Sequence, residues 1–349
     1  MPVSAAQLLA GANYTLQTYA QNDPIDQINT AHPFLEWLVS NRKDSTFGNG
    51  YFNEKVRISN SDNAVWFSGD DQVSYNRKDS VRLASYQHYE MHDGFALNET
   101  ELANNGINLT DDKNAVTTDA EKIQIVNILK ENYMTLKMGM QLSLDQSVHL
   151  DGTQGTKEAP GLDLLVSTTP STGVIGGLDS STQTYWQNNA NLAIASTAGL
   201  LTKQMELSWR ACTQYGGKIP DAIFCGSTAY DAIRNDAAAT INRQIVINDK
   251  GGTGLDASNS GVYFKGKPVV WDPQFDALDV RLGVITYPWA KRIYFLNSKT
   301  ICLRPNKGRW MIQRTPERVY DRYTHYFGTT TDYGLTIAQR NANAVLSVA

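Results

Sequence analysis

The feature that most constrains the fold is an alternation of apolar and polar side chains between Val81 and Leu97. One parity carries the apolar residues Val81, Leu83, Tyr89, Met91, Phe95 and Leu97, and the other carries Arg82, His88, Glu90 and His92. A period of two is that of a β-strand with one apolar face. We therefore predict a single return strand, which at about 3.3 Å per residue would extend for more than about 50 Å.

The residues before this strand predict its partner. From Tyr51 onward, Val56 and Ile58 alternate with charged side chains, and the polar stretch 68–80 reads as a solvent-facing tip. Residues 50–97 therefore form an extended two-stranded ribbon. Because a two-stranded ribbon is marginal in isolation, it must lie on its own body or on another copy of the chain. An ordinary surface hairpin is the alternative.

A long helix is predicted over residues 118–149. Thr118 and Glu121 form a T-x-x-E capping box, which marks a helix start. The apolar stripe that follows steps by three or four residues and consists of Ile125, Leu129, Tyr133, Leu136, Met140, Leu144 and Val148. At 1.5 Å per residue the helix would span about 45 Å. It braces an elongated molecule or, equally well on periodicity alone, is a plain core helix.

The remaining chain predicts a mixture of helices and strands. In residues 1–49, an N-terminal arm, only Pro33 to Ser40 looks ordered by itself, and the glycine-rich stretch 151–190 reads as a loop. Further elements are a helix over Ala190–Tyr215, a strand over Pro220–Cys225, a helix over Ser227–Asn235, a hairpin over Val262–Trp271, and strands over Ile293–Leu296, Thr300–Leu303, Trp310–Ile312, Val319–Phe327, Tyr333–Ala338 and Ala344–Val348. Helices alternating with strands indicate a mixed α/β part.

Composition excludes several classes of function. The net charge of -4 and pI near 5.8 give no basic field for sequence-specific nucleic-acid binding. The three cysteines form no C-x-x-C pair, so neither a disulfide framework nor a zinc site is indicated. No signal peptide or apolar run long enough for a membrane span is visible, so we expect a chain made in the cytoplasm.

No motif predicts catalysis, a cofactor or a metal. The sequence from Gly261 to Lys267 fits part of a phosphate loop, but Pro268 replaces the Ser or Thr that would hold magnesium, so a tight hairpin turn is favoured. His88, Glu90 and His92 share a strand face, which we read as a solvated charged face. The other histidines, His32, His149 and His325, occupy unrelated contexts, and the acidic pairs Asp70–Asp71 and Asp111–Asp112 read as turn formers.

Five separated segments resemble the major capsid proteins of tailed bacteriophages, the Caudoviricetes, which have the Hong Kong 97 fold. These segments are Ala64–Asp70, Tyr86–Asn105, Gly161–Leu165, Gly176–Asn188 and Pro220–Phe224. The resemblance covers residues 50–349 in the same order of parts. It implies an α+β fold with an N-terminal arm 1–49, an extended loop 50–97, a peripheral domain 98–164 with spine helix 118–149, an axial domain 165–290 and a β-rich return to the peripheral domain 291–349.

The resemblance also implies a function. Such subunits form hexamers and pentamers of an icosahedral head around double-stranded DNA, are not enzymes, and lay the extended loop across an adjacent subunit. The inter-subunit contacts expected here are Val56, Ile58, Trp66, Phe67, Asp70, Asp71, Tyr75, Lys78, Leu83 and Tyr89. The residues expected to pack the spine helix are Ile125, Leu129, Tyr133, Leu136 and Met140.

Partners and location follow from the same resemblance. Because the chain begins with a short arm, we expect a separate scaffolding protein, together with a portal, possible decoration protein and non-specific contact with packaged DNA. The location is the virion, after assembly in the host cytoplasm, with no membrane involved.

Lys55 and Lys78 are the lysines of the loop, and no motif ties them to the covalent crosslinking known in some family members. Two other hypotheses are an encapsulin-like shell and a soluble nucleotide-dependent enzyme using Lys267.

Overall fold

The computed structural model describes residues 30–45, 50–60, 64–73, 75, 79–104, 119–197, 199–215, 219–239, 262–283, 285–314 and 323–349. The helices are α1 Pro33–Ser40, α2 Glu99–Asn104, α3 Asp119–His149, α4 Leu162–Leu165, α5 Leu200–Gln214, α6 Ser227–Ala239 and α7 Pro273–Leu282. The strands are β1 Tyr51–Arg57, β2 Val81–Gln87, β3 Tyr89–Asn98, β4 Val174–Ile175, β5 Leu178–Asp179, β6 Asn189–Ile194, β7 Ala222–Cys225, β8 Tyr263–Phe264, β9 Lys267–Trp271, β10 Arg292–Leu296, β11 Ile301–Pro305, β12 Ile312–Arg314, β13 Thr324–Ile337 and β14 Ala344–Val348. Single 3-10 turns cover Thr184–Trp186 and Trp289–Lys291.

The chain divides into two compact units. Unit 1 contains residues 90–143 and 308–332, and unit 2 contains residues 31–89, 144–307 and 333–349. The mixture of helices and strands confirms the predicted α+β class.

A six-stranded sheet in the order β6-β14-β10-β7-β9-β8 forms the centre of unit 2. β14 runs parallel to β6 and β7 runs parallel to β9, while the other neighbours are antiparallel. Every residue of β7, β10 and β14 is buried. Their sequences are short, nearly continuous apolar runs, as expected for strands covered on both faces.

Helices and aromatic side chains cover the two faces of this sheet. On one face α5 and α6 pack Met205, Trp209 and Ile233 against a core that includes Ile293 and Leu346. On the other face the ring of Phe224 meets the rings of two α1 residues, Phe34 at 5.5 Å and Trp37 at 5.8 Å between ring centroids. The segment Pro33–Ser40, predicted to be ordered, is therefore a helix packed on the sheet.

The predicted helix over Ala190–Tyr215 is wrong in its first part. Residues Asn189–Ile194 form strand β6, which pairs in parallel with β14, and the helix starts only at Leu200 after Gly199 adopts a positive φ of 77°. Alanine and leucine favour a helix locally, but pairing with a strand about 150 residues away overrides that preference.

The predicted hairpin over Val262–Trp271 is confirmed. Lys265 and Gly266 connect β8 to β9 with positive φ angles of 49° and 77°, the geometry of a type I′ turn. Because Lys267 and Pro268 continue as an antiparallel strand, this part of the G-x-x-x-x-G-K sequence opens no helix.

Unit 1 is built around α3, β3 and part of β13. β3 pairs with β13, and β12 pairs with residues 328–330 of β13. Gly94 and Gly328 allow this close approach, because a Cβ at Gly94 would lie 2.8 Å from the Phe327 carbonyl oxygen, and one at Gly328 would lie 2.7 Å from His92 Nε2. The two strands predicted at Val319–Phe327 and Tyr333–Ala338 are one strand from Thr324 onward, while residues 319–322 lie outside the described ranges.

The long helix is confirmed as α3, Asp119–His149. The capping box is not tested, because Thr118 and the side chain of Glu121 lie outside the described residues. Within the described part of the chain, no helix combines the length and apolar character needed to cross a membrane.

The glycine-rich stretch 151–190 is more ordered than the predicted loop. It contains α4, the small β4–β5 hairpin and the 3-10 turn Thr184–Trp186. Gly161 allows α4 to pass close to the end of α3, because a Cβ there would lie 2.3 Å from the Val148 carbonyl oxygen. Trp186 is buried, and its indole donates a hydrogen bond of 3.0 Å to the Ile175 carbonyl.

Arg340 holds this stretch in place from the inside of unit 2. Its fully buried guanidinium donates hydrogen bonds to the carbonyl oxygens of Leu165 and Trp186 at 2.9 and 2.6 Å, and to Ser180 Oγ and Asn188 Oδ1 at 2.8 Å each. Burial lowers the pKa of Arg340 to about 10, which leaves it charged at neutral pH. The charge is therefore stabilised by neutral oxygens from four positions between Leu165 and Asn188.

We predict that Arg340→Lys destabilises the chain by about 3 kcal/mol. The lysine ammonium group cannot reach the four acceptors that the planar guanidinium group of Arg340 binds. The measurement is the shift of the urea unfolding midpoint, followed by tryptophan fluorescence. Arg210→Lys is the matched control, since Arg210 is exposed on α5, and it should change the free energy of unfolding by less than about 0.5 kcal/mol. Equal midpoints for the two variants would contradict the role given to Arg340.

Candidate assembly surface

A β-hairpin formed by β1 and β2 projects the residues that the sequence nominated for contact. The two strands are antiparallel, with Phe52 opposite Tyr86 and Glu54 opposite Ala84. One further backbone hydrogen bond, from Ile58 N to the Ser80 carbonyl at 3.0 Å, extends the ladder toward the tip.

The predicted single return strand from Val81 to Leu97 is wrong. The strand breaks at His88, and the chain continues as β3, which pairs with β13 and not with β1. The apolar side chains occupy odd-numbered positions both before and after the break. Their pattern could therefore not reveal that the strand changes its pairing partner. The hairpin is therefore shorter than the predicted ribbon.

One face of the hairpin is fixed to the rest of unit 2. Tyr86 donates a hydrogen bond from its hydroxyl to the Ile337 carbonyl at 2.8 Å, and Ser85 N donates to the Gly176 carbonyl at 2.9 Å. Burial raises the pKa of Tyr86, which keeps its hydroxyl protonated as a donor. Gly176 has a φ of 61°, and a Cβ at this position would lie 3.0 Å from Ala84 Cβ.

Phe52 and Glu54 fix the first strand on the same face. The Phe52 ring occupies space that only a glycine leaves open, because a Cβ at Gly334 would lie 2.7 Å from it. Glu54 forms an ion pair with Arg304 and accepts a hydrogen bond of 3.3 Å from Thr336 Oγ1. The root of the hairpin is thus held by packing and by polar contacts.

The opposite face of the hairpin is exposed, and it carries the apolar residues that the sequence predicted to share a face. Leu83 is 55% exposed and Val81 is 46% exposed, whereas Ala84 and Tyr86 are buried. The fixed face is thus the even-numbered one, which lacks the apolar pattern. It is fixed by the close approach of Ala84 to Gly176 and by the Tyr86 hydrogen bond. Val81 and Leu83 lie opposite the charged Arg57 and Lys55.

The tip of the hairpin exposes large apolar side chains. Trp66 is 100% exposed and Tyr75 is 94% exposed. Val65, Phe67 and Val73 are exposed as well. The Asp71 carboxylate accepts a hydrogen bond of 2.9 Å from Ser68 N, while Asp71 N donates to the Ser68 carbonyl at 3.1 Å. The prediction that Asp71 is a turn former is confirmed.

The other nominated contact residues differ in their exposure. Asp70 and Asp71 are exposed, and Ile58 and Tyr89 are half-buried. Val56 is buried within its own chain. Lys78 lies outside the described residues. Four further exposed residues, Tyr51, Val65, Val73 and Val81, are not among the predicted contacts. For Val65, its position next to Trp66 was the available signal in the sequence.

The residues nominated to pack the long helix lie mainly in the core of unit 1. Leu136 and Met140 are buried, while Leu129 and Tyr133 are half-buried. The Tyr133 ring meets the rings of Phe95 and Phe327, at 5.3 and 6.0 Å between centroids. The side chain of Ile125 lies outside the described residues.

The described residues include no group of three or more His, Cys, Asp or Glu side chains placed to hold a metal ion. His88 packs its ring against Phe52, at 3.9 Å between ring centroids, and Glu90 contacts Arg309 at 3.1 Å. The expectation that His32 and His149 lie in unrelated contexts is wrong, because both contact the carboxylate of Asp145. Only the fold brings together residues so distant in sequence.

Similar solved structures identify the fold. Over 94% of its length the chain matches the structure described as the cyanophage A-1(L) capsid asymmetric unit, with a TM-score of 0.60, 14% identity and 95% of that chain covered. It matches the capsid of the Myoviridae phage XM1 with a TM-score of 0.55, 12% identity and coverage of 94% and 95%. It matches the capsid of an empty GTA particle with a TM-score of 0.55, 10% identity and coverage of 97% and 99%.

These matches show that the chain has the Hong Kong 97 fold of tailed-phage capsid proteins, as the sequence resemblance implied. No protein-family model matches the sequence, and no curated protein matches it either.

We predict that Tyr86→Phe loosens the root of the hairpin. The variant leaves the Ile337 carbonyl without its donor and should cost about 1 to 2 kcal/mol. Hydrogen exchange of residues 51–57 and 81–87 measures the effect as faster exchange. Tyr75→Phe is the same substitution at an exposed tip residue and should leave exchange at the root unchanged. Equal exchange in both variants would show that the Tyr86 hydroxyl does not fix the root.

Proposed function

We propose that this chain is a major capsid protein that self-assembles into the hexamers and pentamers of an icosahedral phage head enclosing double-stranded DNA. The observation that carries the proposal is the hairpin, whose root is fixed to unit 2 while its tip and one strand face present apolar side chains to solvent. The role is structural, not enzymatic.

The exposed side chains argue for a protein partner. Monomeric soluble proteins rarely expose large contiguous apolar surface, and such surface marks a site of interaction. Trp66, Phe67 and Tyr75 are aromatic residues of the type enriched in protein interfaces. The fixed root gives the tip a defined position, so that binding costs less conformational entropy than docking a free loop. A neighbouring copy of the same chain is the partner that a closed shell supplies.

Weak contacts suffice for such an assembly. An ordinary interface buries about 800 Å² per partner, and its strength in a shell increases because each subunit is held by several neighbours at once. The hairpin residues Trp66, Phe67, Asp70, Asp71, Tyr75 and Leu83 are proposed as one of these contacts. Val56, buried in its own chain, contributes by holding the strand that presents them.

Other partners follow from the same function. A shell that packages DNA needs a scaffolding protein or segment, a portal and, in some heads, a decoration protein. The net charge of -4 fits a container that contacts its DNA only non-specifically. The location would be the virion, after assembly in the host cytoplasm.

We predict that the double variant Trp66→Ser with Tyr75→Ser folds normally but does not close shells. Both side chains are almost fully exposed, so their loss removes contact area for a neighbour without disturbing the core. Negative-stain microscopy and sedimentation of the purified chain measure shells, and hydrogen exchange checks the fold. Val280→Ser, which removes an exposed apolar side chain on α7, is the control and should assemble.

Normal shells from the double variant would contradict the role of the hairpin. Equal failure of the Val280 variant would mean that assembly responds to any loss of exposed apolar surface. The content of native particles separates two kinds of shell: packaged DNA supports a phage head, whereas enclosed proteins support an encapsulin-like compartment. A monomer that binds ATP would overturn both.

A further inference from the structure

Four buried titratable side chains form a continuous chain inside unit 2. His32 Nδ1 lies 2.8 Å from Asp145 Oδ2, and His149 Nδ1 lies 3.5 Å from Asp145 Oδ1. On its far side, His149 Nε2 lies 3.4 Å from Asp272 Oδ2. The side chains of Asp145, His149 and Asp272 are fully buried, and that of His32 is 9% exposed. These four side chains thus link the residue before α1, the end of α3 and the N-cap of α7.

The hydrogen bonds indicate which form of His149 fits this place. His149 Nδ1 lies 2.6 Å from the Asp145 carbonyl oxygen, an acceptor, so this nitrogen carries a proton. His149 Nε2 faces the Asp272 carboxylate, whose other oxygen accepts a hydrogen bond of 2.9 Å from Gln274 N at the start of α7. A neutral ring would turn its lone pair toward that carboxylate. The doubly protonated imidazolium is therefore the form that fits.

Charge balance leads to the same result. Two buried carboxylates, Asp145 and Asp272, face two imidazoles, and an unbalanced buried charge is strongly destabilising. The hydrogen bond to Asp145 raises the pKa of His32; burial opposes this, and the charges of Asp145, Asp272 and Glu36 add to it. Burial lowers the pKa of His149, but the Asp145 and Asp272 carboxylates outweigh it and the pKa is raised. The uncharged rings of Phe34, Phe275 and Trp289 also pack against the His149 ring.

The element that depends most on this cluster is α1. It has only eight residues, follows His32 directly, and packs Phe34 against the His149 ring at 4.7 Å between centroids. Apolar burial of Leu35 and Leu38 also holds α1. An isolated helix of this length is unstable in water, so α1 persists only while it is docked.

We propose that His32, Asp145, His149 and Asp272 form a proton-operated clasp that holds α1 on unit 2 and loosens it when the histidines lose their protons. Because both pKa values are higher in the folded chain than in the unfolded one, the stabilisation is fully present below about pH 6.5. It is lost as the pH rises through the raised values.

The test is hydrogen exchange of the full-length unassembled chain at pH 6 and pH 9, with each rate divided by its intrinsic rate at that pH. The protection factor of residues 33–41 should fall by about tenfold or more, because the ion pairs that hold α1 are lost as the histidines lose their protons. The protection factor of α5 should change less than twofold. Wild-type protection at residues 33–41 that changes less than twofold would overturn the proposal.

Variants identify the groups responsible. Asp145→Asn removes the charge that both histidines balance, and His32→Gln keeps a donor for Asp145 without a titrating group; each should reduce the fall to less than about threefold. His325→Gln is the control, because His325 contacts Glu99 at 3.5 Å in unit 1, and it should keep the wild-type fall. If Asp145→Asn does not fold, His32→Gln decides alone, and an undiminished fall in that variant would contradict the clasp.

Discussion

The buried guanidinium of Arg340 is the interaction on which the exposed part of the molecule depends. Arg340 fixes the Trp186 carbonyl, the Trp186 indole is bound to the Ile175 carbonyl, and the next residue, Gly176, accepts the amide of Ser85 in the hairpin. A charge buried without a carboxylate requires all of its acceptors, because desolvation is offset only when each donor is paired. The bonds of Arg340 thus fix the segment from Leu165 to Asn188, and the hairpin packs on this segment through Gly176.

The root of the hairpin is fixed within the chain, whereas its tip is exposed and free to contact a partner. At the root of the hairpin, Ala84 and Tyr86 meet a backbone that Gly176 keeps free of side chains. At the tip, Trp66 and Tyr75 have no comparable support within their own chain. An apolar tip on a fixed root suits docking to a partner, because part of the entropic cost of ordering the hairpin is met when the chain folds.

The sequence could predict elements whose pattern is local. The apolar stripe located α3, and Lys265–Gly266 located a hairpin turn. It could not predict elements that depend on distant pairing. The strand from Val81 breaks because β13 competes for its second half, and Asn189–Ile194 becomes a strand because β14 lies beside it. The parity of Val81 and Leu83 marked a real apolar face, but which face is fixed depends on Gly176, which is about 90 residues away. The His32–Asp145 contact carries no local pattern, for the same reason.

Unit 2 stabilises buried charge in two different ways, and the difference matters for how it responds to pH. Around Arg340 the acceptors are amide and hydroxyl oxygens, which do not titrate, and the pKa of about 10 keeps the guanidinium charged throughout the neutral range. Around Asp145 the charge is balanced by imidazoles, which change protonation close to that range. The support of the hairpin is therefore insensitive to a rise in pH that loosens α1. The packing of α1 can therefore change with pH while the root of the hairpin stays in place.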